Sequence, residues 1–128
     1  MVQRTRLKLE WAECGEDHHW CDFLHVRLDS DSLSKGGVYV IWSENARGSD
    51  RTVVYVGKGK PLADPIARHR GEPNITRHGR GGRILRATWA RVGKQDRGGV
   101  ERYLADTLRP VEGSRWSDDT PVAVNLPW

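Results

Sequence analysis

A chain of 128 residues fits one compact domain and leaves little room for a second. Hydrophobic residues make up 37% and include six tryptophans, which excludes wholesale disorder, and no run approaches the ~18 apolar residues of a membrane span. The net charge of +4 is unevenly spread: residues 51–109 carry fourteen Lys/Arg against five Asp/Glu, a balance of +9, and the remainder carries −5. Eleven of those fourteen cations are arginines, so the basic half suits phosphate contact as well as a plain solvated surface. The N-terminus MVQRTRLKLEW has no signal-peptide apolar stretch, so the expectation is a cytoplasmic chain in which Cys14 and Cys21 stay reduced.

In chain order, Leu7, Leu9 and Trp11 alternate with Arg6, Lys8 and Glu10, the period-two pattern of a half-buried strand. CGEDHH reads as a turn, and WCDFLHVRL leaves helix and strand both open. Cys14, His18, His19 and Cys21 are four soft ligands within eight residues, but adjacent histidines cannot readily face one ion, so a turn is the better reading than a metal site. DSDSLSKGG at 29–37 is a polar loop and the best internal boundary, giving an extension over 1–34 and a domain over 35–128.

GGVYVIW (36–42) and TVVYVG (52–57) are short β-branched and aromatic runs joined by the polar SENARGSDR, a hairpin with a long loop. A register with Trp42 opposite Thr52 sets Tyr39 opposite Tyr55, and any even index sum keeps both phenols on one face. ADPIARHR reads as a short helix with Asp64 capping and Pro65 at its first position. GEPNITRHGRGGR (71–83) reads as a mobile Gly/Arg loop, ILRATWARV (84–92) as a third strand with Leu85, Ala87 and Trp89 on one side, and GGVERYLADTLRP (98–110) as the clearest helix, with Val100, Tyr103, Leu104, Thr107 and Leu108 on one face. The WSDDTPVAVNLPW tail reads as loop and short extended segment.

A GVY strand, a YVG strand, a basic helix, a glutamate on a later helix and a terminal asparagine, in that order, resemble the GIY-YIG nuclease family over residues 36–128. The resemblance implies an α+β fold, a small three-stranded antiparallel sheet flanked by helices with the N-terminal extension packed on it. It also implies a nuclease that hydrolyses phosphodiesters of nucleic acid, DNA first, with Mg²⁺ or Mn²⁺. Tyr39 is then the general base, Tyr55 orients water or phosphate, and Glu101 holds the metal; Lys58 and Arg68 neutralise phosphate charge, His69 donates to phosphate or assists proton transfer, and Asn125 anchors the site. The family's helix arginine, about ten residues beyond the YVG tyrosine, is replaced here by Pro65, and Arg68 follows one helical turn later. Gly57, Lys58, Lys60, Arg70, Arg77, Arg80 and Arg83 are the expected nucleic-acid contacts. The alternative is a nucleic-acid-binding domain that keeps the fold with weakened or no catalysis. GKGK at 57–60 lacks the GxxxxGK[ST] spacing, which excludes a nucleotide phosphate loop.

Overall fold

The computed structural model describes residues 6–15 and 19–128. Its elements are β1 (Cys21–Asp22), β2 (Gly37–Asn45), β3 (Thr52–Gly59), α1 (Ala63–His69), α2 (Pro73–Thr76), β4 (Arg83–Arg91) and α3 (Lys94–Leu108). The strands form one antiparallel sheet in the order β1-β4-β2-β3. The fold is α+β, but the sheet has four strands rather than three. The extra strand is the two-residue β1, contributed by the N-terminal segment, which pairs Cys21 with Ala87 and Asp22 with Arg86.

Strand alternation divides the core into two layers. Tyr39, Ile41, Leu85, Ala87 and Trp89 share one face with Ile66 and Ile75 from the short helices and Phe23 and Leu33 from the N-terminal segment. Val38, Val40, Trp42, Val56 and Ala90 share the other with Val100 and Leu104 of α3 and Leu9, Val122 and Val124. The predicted β4 alternation is therefore met. The hairpin register differs by two: Tyr39 lies opposite Gly57, an index sum of 96. Because that sum is even, Tyr39 and Tyr55 remain on one face. Farther along, Ile41 pairs with Tyr55 and Trp42 with Val53, leaving Val54 as a bulge.

Several boundaries move for identifiable reasons. β2 continues through Ser43 and Glu44, which their polarity had assigned to the loop. Both are buried because Ser43 Oγ donates to the His78 carbonyl, while Glu44 accepts from Trp42 Nε1 and pairs with Arg51 and Arg86. α1 is preceded by Leu62, not capped by Asp64, and Pro65 lies in its first turn. Residues 71–83 are built rather than a mobile loop: α2 and a 3₁₀ turn at Arg77–Gly79 follow one another, with Ile75 fully buried.

α3 begins four residues before the predicted start, and Gly98 and Gly99 lie inside it. A Cβ on Gly98 would strike the Asp119 and Ser117 side chains, and one on Gly99 the Thr120 carbonyl and Val122, so these glycines let the tail cross the helix closely. The buried face of α3 includes Val100, Glu101, Leu104 and Ala105, while Thr107 is exposed.

At the N-terminal side, Leu9 is buried and Arg6, Lys8 and Glu10 are exposed, as alternation predicts, although only Leu7 forms a bridge, with Val124. Cys14 and Cys21 form a disulfide with Cα atoms 4.9 Å apart, beside an antiparallel bridge between Cys14 and His19. This overturns the expectation of reduced thiols. It also removes both cysteines as metal ligands; His18 lies outside the described residues. Among the described residues, no helix is long and apolar enough to cross a membrane.

Candidate active site

The tyrosine pair lies where β2 and β3 run side by side at the edge of the sheet. Tyr39 is only 1% exposed, and its ring stacks on that of Tyr55 with centroids 6.1 Å apart and planes 14° from parallel. Gly57, an expected nucleic-acid contact, lies directly across from Tyr39. A Cβ at that position would fall on the Tyr39 hydroxyl, so the glycine clears the space that the phenol fills. Gly57→Ala is expected to destabilise the fold by about 1–3 kcal/mol through overpacking, read as a lower midpoint of thermal unfolding. An unchanged midpoint would mean that the ring moves aside freely.

Behind the phenols, α1 ends in Arg68 and His69. His69 is 3% exposed and its Nε2 lies 2.7 Å from the Tyr39 hydroxyl. Its Nδ1 hydrogen-bonds Glu72, a residue that the sequence reading had not singled out. The Tyr55 and His69 rings also touch, with centroids 4.4 Å apart. Arg68 is exposed, yet its charge bears on Tyr39, Tyr55 and His69 together. The position that the family pattern gives to arginine points elsewhere: Pro65 is buried, packed on β3 where a Cβ of Gly59 would stand.

Glu101 approaches from the opposite layer, around the end of β3. The carboxylate is buried, 6% exposed, and its Oε1 accepts from Lys58 Nζ at 3.1 Å and from the Ser117 backbone N–H at 2.9 Å. Lys58 alternates with Gly57 on β3 and so faces the α3 side, with its side chain 42% exposed. Among the described residues no group of three or more His, Cys, Asp or Glu side chains could surround a metal ion. What Glu101 offers is one carboxylate with a single oxygen engaged. That fits a hard cation which keeps most of its water, as Mg²⁺ does, and not a multidentate protein cage.

The surroundings of Tyr39 favour the neutral phenol. Burial pushes its pKa well above the ordinary phenol value of 10.0, Tyr55, Glu101 and Glu72 push it further, and only Arg68 opposes them. Burial and Glu101 also raise Tyr55. Burial lowers His69 below 6.5, with Glu72 partly opposing. A depressed histidine pKa means that the unfolded chain binds the proton more tightly, so this group's contribution to stability is complete above pH ~6.5 and is lost as pH falls towards the folded value. Denaturant titrations across that range are expected to show stability falling with acid, and His69→Gln to flatten that slope. An equally steep slope in the variant would place its origin in other groups.

The remaining predicted residues divide. Asn125 is not near the phenols: its amide donates to the Leu9 carbonyl and accepts from the Leu9 N–H, at 3.0 and 2.6 Å, fastening the N-terminal segment on the α3 side. Arg70 donates to the carbonyls of Phe23 and Val26, Arg77 pairs with Glu112, and Arg83 bonds Ser43 and Asp50, so these three guanidinium groups serve the fold. The residues Lys60 and Arg80 are exposed, and the Arg80 carbonyl accepts from the Arg83 N–H at 3.3 Å. Tyr39, Tyr55 and His69 are thus in contact, the charges of Arg68 and Glu101 act on both phenols, Lys58 joins through Glu101, and Asn125 is engaged with Leu9 instead. Comparison with protein-family models, curated proteins and solved structures finds no match for this chain.

Proposed function

We propose that this chain is an endonuclease of the GIY-YIG type, which hydrolyses phosphodiester bonds of nucleic acid, DNA first, with Glu101 holding a Mg²⁺ or Mn²⁺ ion. The observation that carries this reading is the convergence of Tyr39, Tyr55, Lys58, Arg68, His69 and Glu101 around one end of β3, from the four elements β2, β3, α1 and α3. β4, β2 and β3 then correspond to the family's three-stranded core, and β1 is an addition to it.

Because its pKa is raised, Tyr39 is a neutral phenol and not a standing phenolate. It can take a proton from an attacking water only by giving up its own, and His69 Nε2 stands ready to receive it. The water oxygen forms the new bond to phosphorus as the bond to the leaving oxygen breaks, and solvent protonates the leaving group. Arg68 and Lys58, at the exposed rim, offset the charge that develops on the phosphate oxygens. The metal, when bound, supplies Lewis-acid polarisation of the phosphate.

A second reading, a nucleic-acid-binding domain without cleavage, draws support from Pro65, which fills the arginine position with a buried ring. Nicking of supercoiled plasmid with and without Mg²⁺, using Glu101→Gln and Tyr39→Phe as controls, decides between them. Salt-sensitive retention of DNA or RNA with no cleavage under several divalent ions would leave the binding reading in place.

A further inference from the structure

We infer that Glu72 is a positioning residue, which locks His69 in the tautomer that can accept the Tyr39 proton; the inference deepens the nuclease reading and rests on it for its catalytic consequence. A carboxylate only accepts hydrogen bonds, so its contact with Nδ1 requires the ring proton to be there. Nε2 is then an unprotonated acceptor, and the hydroxyl of Tyr39 at 2.7 Å is the donor. The opposite tautomer would set an N–H against the phenol and reverse the direction of proton flow. The logic is that of a nucleophile or base whose histidine is oriented by a carboxylate, here a half-buried one.

The backbone shows that this contact is built in. The Glu72 N–H donates to the His69 carbonyl at 3.1 Å, and the Glu72 carbonyl accepts from Ile75 and Thr76 N–H at 2.9 and 3.0 Å, opening α2. The turn between α1 and α2 therefore fixes the carboxylate relative to the ring before any substrate arrives. Among the described residues, the other groups facing His69 do not offer the same help. Tyr39 and Tyr55 are neutral phenols on β2 and β3, and Arg68 is a cation that disfavours a charged imidazole.

The test uses the full chain, with Glu72→Ala and Glu72→Gln. Long-range ¹H–¹⁵N correlation spectra, with the His69 signal assigned by its loss in His69→Gln, report the tautomer without any need for activity. The wild type is expected to show Nδ1–H. Glu72→Ala should lose that preference, whereas Glu72→Gln should keep it, because the amide oxygen still accepts. In plasmid cleavage, Glu72→Ala should lower kcat about 10–100-fold with KM little changed, and Glu72→Gln should stay within about threefold of wild type. The acid limb of the rate profile should move to lower pH in Glu72→Ala, since the carboxylate is what holds the imidazole pKa up against burial. An Nε2–H tautomer in the wild type, or a Glu72→Ala protein with unchanged tautomer or unchanged rate, would overturn the inference. If the tautomers behave as expected and the wild type cuts nothing, the positioning stands and the nuclease reading falls.

Discussion

Replacing Glu101 with glutamine is expected to abolish Mg²⁺-dependent plasmid nicking, a loss of at least about 10²–10³-fold, while leaving the protein folded. Glutamine keeps the length of the side chain and a carbonyl oxygen, so it can still accept from Ser117 N–H and Lys58 Nζ. What it lacks is the charge that would hold a hard cation. Alanine is the harsher change, because it leaves the buried Ser117 contact unmade at a cost of about 1–3 kcal/mol, so activity lost in alanine alone would be ambiguous. A second measurement needs no cleavage. The Glu101 charge raises both Tyr39 and Tyr55, so alkaline absorbance titration of Glu101→Gln should show the phenols ionising at lower pH than in the wild type. A folded glutamine variant that nicks at the wild-type rate would remove Glu101 as the metal ligand. Unchanged phenol titration would remove it from the neighbourhood of the tyrosines.

What the sequence made legible is what depends on parity and local pattern. The shared face of Tyr39 and Tyr55 survived a two-residue error in register and a bulge at Val54, because an even shift cannot turn a side chain over. Leu85, Ala87 and Trp89 were assignable for the same reason. Arg68 at the phenols follows from simple helical spacing after Pro65. What stayed hidden depends on partners remote in sequence. The Asn125–Leu9 clamp joins residues 116 apart, and nothing near Asn125 signals it. Ser43 and Glu44 read as loop residues because their hydrogen-bonding partners, His78, Arg51 and Arg86, come from other segments. Arg77 reads as a free cation until Glu112 is placed beside it. Glu72 is the intermediate case. Its spacing of three from His69 was visible, but only the turn between α1 and α2, not a continuous helix, directs the carboxylate to Nδ1.

Tyr39→Phe is expected to separate the chemistry of the phenol from its packing. The ring stays where Gly57 makes room for it and remains stacked on Tyr55, so the fold should persist, at a cost of about 1–3 kcal/mol for the unpaired His69 acceptor. Cleavage should fall about 10²–10⁴-fold in kcat, the usual range for losing a general base. Tyr55→Phe, at a partly exposed residue whose ring meets His69 but whose hydroxyl has no hydrogen bond to it, should fall less. Stability against pH supplies the independent check. A phenol whose folded pKa is raised contributes stability that is complete below the unfolded value of 10.0 and is lost as pH rises through the window above it. The wild type should therefore lose stability above pH ~10 more steeply than Tyr39→Phe, which has no buried phenol to ionise at that site. If the variant cleaves at the wild-type rate while this alkaline difference is present, Tyr39 is a buried structural phenol. The proton of the attacking water must then pass to another base, with His69 the nearest.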